Sequence, residues 1–370
     1  MNYIIIIFAI ISFLYTVIII CFTIGWIRIK PFIFKKDIPT ISVSIVIPFR
    51  NEEENILNII HDIKNQTFKN NCIELILVND HSTDKSVEII KKQKLGEIKS
   101  KLLNLEQNQG KKAALKLGIE NSNHEIITTT DADCRVGKNW LNTIINYYMQ
   151  NKPKVIVGPV LFKVRKGFLN YFQNLDFLSL IASTAGAIGI FKPIMANGAN
   201  LTFEKKIFNE INLKKLIASG DDVFLIHETK KRNRNGIIFL KSNEALVITE
   251  SPKNVKQLLQ QRIRWFSKSK YYNDFDAIFT ACTVLLFNVL IIFLLIIGIV
   301  NPIYLILSFI GFSVKLIIDF PLLLISSKFF GRIYLLKFYP VVQLIYPFYI
   351  VGIVILGIFC RSTWKGRAIK

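Results

Sequence analysis

Asp131-Ala132-Asp133 places two carboxylates one residue apart at the end of the apolar, β-branched run Glu125 to Thr130. A strand that stops there presents both acids at the carboxyl edge of a sheet, where α/β folds bind their ligands. Oxygen donors of this kind suit a hard cation such as Mg²⁺ or Mn²⁺, which keeps waters and completes its shell with phosphate oxygens. The tripeptide alone also fits an ordinary surface turn. Its weight comes from the polar groups that share its block of the chain.

Pro48-Phe49-Arg50-Asn51-Glu52 follows the run Ser42 to Ile47. Asn51 as an N-cap and Glu52 to Glu54 as first-turn acids explain a strand-to-helix turn. Arg50 is left over and could reach a base or phosphate. Asp80, at the tip of the run Glu74 to Val78, could accept from a base or ribose while Ser82 or Asp84 caps the next helix; a plain polar loop accounts for it equally well. Gly110 opens a helix on Lys111 and Lys112. Cations in a first turn oppose the helix dipole, so contact with an anionic diphosphate is a reason for their presence, although the spacing is not that of a Walker loop.

Gly220-Asp221-Asp222 pairs carboxylates before another helical start. One can cap while the other points into a cleft, where acidic neighbours would raise its pKa toward that of a general base for a hydroxyl. Gln261-Arg262-Ile263-Arg264-Trp265 ends a helix expected over Val255 to Lys270. An interfacial membrane anchor is the plain account of an Arg/Trp pair. Gln261, Arg264 and Trp265 nevertheless share one face at i, i+3, i+4, offering an amide, a guanidinium and a flat ring, a surface suited to a sugar.

The elements that must hold these groups alternate between strand and helix from residue 41 to 270, which implies a mainly parallel sheet with helices on both faces. The rest is framing. Hydrophobic residues make up 51% of the 370 and the mean hydropathy is +0.39, values that imply membrane segments. Residues 1–27 read as an uncleaved transmembrane anchor, uncharged from Tyr3 to Ile27, and 28–40 as a basic linker that places residues 41–270 in the cytoplasm. Within 271–370, two spans are expected at about 278–300 and 303–326, split by Asn301-Pro302. Segment 338–360 has cations on both flanks and reads as re-entrant or interfacial, broken near Pro347, before a basic tail. The net charge of +21 fits attraction to anionic lipid; no nucleic-acid reading motif accompanies it. Five cysteines without paired spacing argue against a disulfide framework or a zinc site. Lys315 and Asp319, one turn apart in an apolar region, are the feature a transporter would need, or simply each other's partner.

In their order, Asp80, Asp131-Ala132-Asp133, Gly220-Asp221-Asp222 and Gln261-Arg262-Ile263-Arg264-Trp265 resemble the motifs of membrane-embedded family 2 glycosyltransferases. These are the inverting enzymes related to cellulose, chitin, hyaluronan and poly-N-acetylglucosamine synthases. The resemblance covers about residues 40 to 270 and implies a GT-A-like α/β fold, Rossmann-like with a mainly parallel sheet, as a cytosolic domain framed by transmembrane helices at the cell (inner) membrane. It implies a UDP-sugar donor, a glycan or lipid-linked acceptor, and Mg²⁺ or Mn²⁺ held by Asp133. By the same resemblance Pro48, Arg50, Glu52 and Asp80 line the nucleoside pocket, Lys111 or Lys112 approaches it, and Asp131 lies on the uridine side. Asp222 corresponds to the catalytic base, Arg264 to a diphosphate contact, and Asn200, Asp221, Gln261 and Trp265 to the acceptor side. The tail Trp364-Lys365-Gly366-Arg367 is similar to the Trp-Gly-x-Arg end of some synthases. Two departures stand out: Gly-Asp-Asp replaces the Thr-Glu-Asp of many processive members, and few spans follow the domain. One-sugar transfer to a lipid-linked acceptor therefore competes with β-linked polymer synthesis, and a transporter or scaffold is the rival outside enzymes.

Overall fold

The longest helices form over the apolar runs, and the strands Val43–Phe49, Ile73–Asn79 and Ile126–Thr129 over short runs rich in Ile, Val and Thr that stop at polar groups. The computed structural model describes residues 2–33, 41–107, 110–210, 221–359, 363–364 and 367–368. The chain begins with α1 (Asn2–Arg28), β1 (Val43–Phe49), α2 (Ile56–Lys64), β2 (Ile73–Asn79), α3 (Ser86–Lys91), β3 (Lys99–Asn104), α4 (Lys111–Glu120) and β4 (Ile126–Thr129). It continues through β5 (Cys134–Val136), α5 (Trp140–Asn151), β6 (Val155–Val157), β7 (Val160–Phe162), α6 (Phe168–Gly189), β8 (Leu201–Glu204) and α7 (Lys205–Glu210). After these come α8 (Asp221–Asn233), β9 (Ile237–Phe239), β10 (Val247–Thr249), α9 (Val255–Ser269), α10 (Phe275–Ile297), α11 (Pro302–Phe329) and α12 (Tyr339–Phe359). Two-residue strands β11 (Thr363–Trp364) and β12 (Arg367–Ala368) pair antiparallel in the tail.

Contacts divide the chain into two compact units, residues 29–163 with 193–250, and residues 1–28, 164–192 and 251–370. The cut differs from the single block 41–270 read from the sequence, because α6 and α9 belong with the apolar helices. In α6 the one charged residue is Asp176 and most positions are buried. A helix apolar nearly all round needs other helices against it.

The globular unit holds a seven-stranded sheet in the order β3-β2-β1-β4-β8-β6-β9. Neighbours pair parallel except at β8, which runs against both β4 and β6. Every residue of β1 and β2 is buried, as expected of strands covered on both faces. The first strand extends beyond the run anticipated for it, so Pro48 lies inside β1 rather than after it. Its missing N–H costs little, because pairing with β4 has already ended at Val46. A second sheet, β5-β10-β7, joins antiparallel and parallel pairs.

In the helical unit α1 lies backbone to backbone against α6. A Cβ on Gly25 would fall 1.9 Å from the Gly186 carbonyl oxygen, and one on Gly189 would meet the Gly25 carbonyl. Small residues permit such approach where lipid supplies no hydrophobic drive. Among the described residues four helical stretches are long and apolar enough to cross a membrane: Tyr3–Arg28, Phe275–Ile297, Pro302–Phe329 and Ile333–Phe359. The expected break near Pro347 is absent, since α12 runs through that proline unbroken. Lys315 and Asp319 do pair, 2.7 Å apart, and both bond Tyr15; Gln343 also donates to Asp319. This knot ties α1, α11 and α12 together, a structural use for the two charges that the transporter reading had claimed.

Candidate active site

Register brings the polar motifs of the globular unit to one edge of its sheet. Phe49 of β1 stands opposite Asn79 of β2, and Val46 opposite Thr129 of β4, so Arg50, Asp80 and Asp131 all leave the carboxyl ends of neighbouring parallel strands. The Asp80 N–H donates to the Phe49 carbonyl (2.9 Å), and Arg50 Nη1 to the Asp80 carbonyl (2.9 Å). Asn51 is no helix cap. It sits at φ +50°, opposite His81 at φ +56°, and its side-chain oxygen accepts from the Thr83 N–H. Left-handed backbone at two non-glycine residues is unusual and marks a constrained turn pair. Ser82 accepts from the Asn51 N–H, while Asp84 accepts from the N–H and hydroxyl of Ser86, the first residue of α3. Glu52 uses its N–H on the Ser86 hydroxyl and its carboxylate on Asn55.

The Asp80 carboxyl is 1% exposed. Burial raises its pKa, opposed by the Arg50 charge and by a bond from the Gly110 N–H. Gly110 takes φ +83°, which a residue with a Cβ would resist, and so turns the chain from that bond into α4. The first helical residue, Lys111, reaches Asp131 Oδ1 at 2.5 Å. Its cationic end is thereby committed to the acidic edge, the reason for a lysine in an unfavourable first turn. Lys112 follows it, half-buried.

The antiparallel course of β8 adds the last carboxylate. Because Leu201 stands opposite Thr129, the turn before β8 comes back to the carboxyl end of β4. Thr129 Oγ1 donates to the Gly198 carbonyl (2.7 Å), and the Gly198 N–H donates to Asp222 Oδ2 (3.0 Å). Asp222 Oδ1 accepts from the Val223 N–H (3.0 Å). Two backbone donors therefore fix the orientation of this carboxylate and leave other lone pairs open. The backbone of Asp221 opens α8; its side chain lies outside the described residues, as does Gly220.

Asn200 is a correction. Its side chain is 1% exposed, donates to the carbonyls of Pro159 (2.9 Å) and Ala245 (2.8 Å), and accepts from Trp140 Nε1 (3.1 Å). All its hydrogen-bonding directions but one are used inside the protein, so it anchors the Gly198 turn instead of meeting an acceptor. Gly158 makes room for it: a Cβ there would lie 2.2 Å from the Asn200 amide nitrogen. Pro48 is buried within β1.

Asp133 is half-buried beside Cys134, whose thiol pKa is pushed up by burial and by the two neighbouring carboxylates. Among the described residues no group of three or more His, Cys, Asp or Glu side chains could close around a metal. One or two carboxylates fit a hard ion that completes its shell with phosphates and water, and do not fit a structural zinc site. Gln261, Arg264 and Trp265 lie on α9, in the helical unit, each half-buried. The residue between them that sequence reasoning passed over, Arg262, is the one whose partners are clearest: Asp176 at 2.6 Å and Tyr349 at 3.0 Å.

Mainly parallel strands, one reversed strand and acidic residues along the carboxyl edge define a GT-A nucleotide-sugar transferase fold. Residues 44–232 match the model of glycosyl transferase family 2, and the chain belongs to that family. It is 32% identical over 143 residues to an uncharacterized glycosyltransferase of Haemophilus influenzae, covering 38% of this chain and 56% of the relative. It is 24% identical over 231 residues to a poly-β-1,6-N-acetyl-D-glucosamine synthase of Staphylococcus epidermidis, covering 60% and 53%. The chain thus spans a little over half the length of these curated relatives. The solved mannosyltransferase PcManGT of Pyrobaculum calidifontis, in complex with GDP-Man and Mn²⁺, shares the fold at a TM-score of 0.54 and 15% identity over 94% of this chain and 98% of that one.

Proposed function

We propose that the chain transfers a sugar, with inversion, from a UDP-sugar to a hydroxyl of a glycan or lipid-linked glycan at the cytoplasmic face of a membrane. The observation that carries this reading is the continuous chain of bonds along one strand edge, from Asp80 through Gly110 and Lys111 to Asp131, and from Thr129 through Gly198 to Asp222. Residues 41–270 remain the stretch to which we assign donor and acceptor binding.

In this reading Asp222 accepts the proton of the acceptor hydroxyl. The oxygen bonds the anomeric carbon from the face opposite the diphosphate, and the old carbon–oxygen bond breaks with its electron pair going to the diphosphate. Arg50, Glu52 and Asp80 shape the nucleoside end, Asp131 lies on the uridine side, and Lys111, Lys112 and Arg264 supply fixed charge near the diphosphate. Asp133 would hold Mg²⁺ or Mn²⁺, and a divalent ion there neutralises charge on the departing group. Gln261 and Trp265 take the acceptor sugar, and Asp221 is assigned to the same acceptor role. The basic residues Arg28, which ends α1, and Lys30, just after it, support a cytoplasmic site.

UDP and GDP release, measured across UDP-glucose, UDP-N-acetylglucosamine and GDP-mannose with Mn²⁺ present, tests the donor class. Turnover of GDP-mannose alone would overturn the uridine assignment; the PcManGT complex makes it the second donor to try. The synthase relative favours polymer formation, and product length from labelled donor separates that from single transfer.

A further inference from the structure

We propose that Asp176 and Tyr349 are positioning residues that set the orientation of the Trp265 ring by pinning Arg262 against it. The proposal rests on the reading of Trp265 as an acceptor contact.

Arg262 and Trp265 stand three apart on α9 and so share a face. The guanidinium carbon lies 4.2 Å from the Trp265 ring centre, well inside the range in which a cation is held by an aromatic face. Phe177 of α6 lies near the same ring, 6.0 Å between centroids. Arg262 is 5% exposed and cannot drift, because three helices fix it. Its Nη2 donates to Asp176 Oδ2 of α6 (2.6 Å), and its Nε to the Tyr349 hydroxyl of α12 (3.0 Å). The Tyr349 hydroxyl closes the triangle by donating to the same Asp176 oxygen (3.2 Å). Two anchored edges of a planar group leave it one orientation, and the ring above must match it. A lysine could supply the charge but not the plane. As a strut alone the arrangement is expensive, since apolar side chains of similar volume commonly stabilise as well as a buried pair. What the pair adds is a defined angle for the ring.

The test uses the full chain in detergent or nanodiscs, with Asp176→Asn, Tyr349→Phe, Arg262→Lys and Trp265→Ala. Emission of Trp265 is isolated by difference against Trp265→Phe and challenged with acrylamide. UDP affinity is read by calorimetry, and turnover as nucleotide release from the donor with the highest rate in the screen above. Asp176→Asn should make Trp265 more quenchable and lower turnover about tenfold, with UDP affinity within about twofold of the parent. Tyr349→Phe should act in the same direction by a smaller factor, and Arg262→Lys should behave like Asp176→Asn. Should Asp176→Asn fail to fold, Tyr349→Phe, which removes a single hydroxyl, carries the test. Unchanged quenching, or unchanged turnover, in the folded variants overturns the positioning role. Parent-like turnover in Trp265→Ala would instead sink the acceptor reading of Trp265, whatever the quenching shows.

Discussion

At the strand edge of the globular unit, backbone donors hold two of the carboxylates, Gly110 for Asp80 and Gly198 with Val223 for Asp222, while Lys111 holds Asp131. On α9 of the helical unit, the motif's own arginine is held by another side chain's full charge, at Asp176. In the first arrangement two backbone donors orient the Asp222 carboxylate, which suits the proton transfer proposed for its oxygens. The second consumes a charge internally and suits the placing of a neighbour. Asp222, proposed to act, and Arg262, proposed to aim, are thus held by different kinds of partner.

Breaking the acting side should cost most. Asp222→Asn is expected to lower transfer about a thousandfold while UDP binding persists, measured as nucleotide release and by calorimetry. Transfer at the parent rate would remove Asp222 from the role of base. Asp133→Ala should weaken UDP binding in Mn²⁺ about a hundredfold and abolish the difference between metal and chelator. Equal affinity in both media for the unaltered chain would count against a metal there.

The scaffold beneath the edge is a sharper probe, since it should move stability without touching donor affinity. Asn200→Ala strands two buried carbonyls and an indole N–H and should cost about 2 kcal/mol of stability, read from thermal unfolding. Glu74→Gln should cost about 1 kcal/mol. Burial raises the Glu74 pKa, but the Asn123 N–H, Lys101 and Ser44 together outweigh it and leave the pKa lowered from 4.5. The ionised form is therefore the stabilising one. Its contribution is complete above about pH 4.5 and disappears as pH falls through the folded value. A stability profile in which the Gln variant and the parent differ equally at pH 7 and at pH 3 would remove Glu74 from that account.

The strands and the carboxylates at their tips were legible because both signals are local: a β-branched run and the polar residue that ends it. Asp80 and Asp131 needed nothing more. Asn200 was misread for the opposite reason. Its partners Trp140, Pro159 and Ala245 lie 41 to 60 residues away, and a buried asparagine has the same letter as one that meets a ligand. Arg262 escaped notice likewise, with Asp176 86 residues distant. Pro48 looked like a strand terminator because the early end of β4 beside it has no trace in the sequence. The reversed β8, which delivers Gly198 to Thr129, depends on strand order, and a four-residue strand carries too little periodicity to reveal it.

α6 is drawn from the middle of the polypeptide, with β7 before it and β8 after it. The backbone consequently changes unit at four places, near residues 28, 163, 192 and 250. A truncation that keeps 29–250 in the hope of a water-soluble catalytic fragment would carry along a greasy 22-residue rod whose glycine seam has lost α1. Such a fragment should precipitate or require detergent, and a soluble version calls for excising residues 164–192 and bridging the gap.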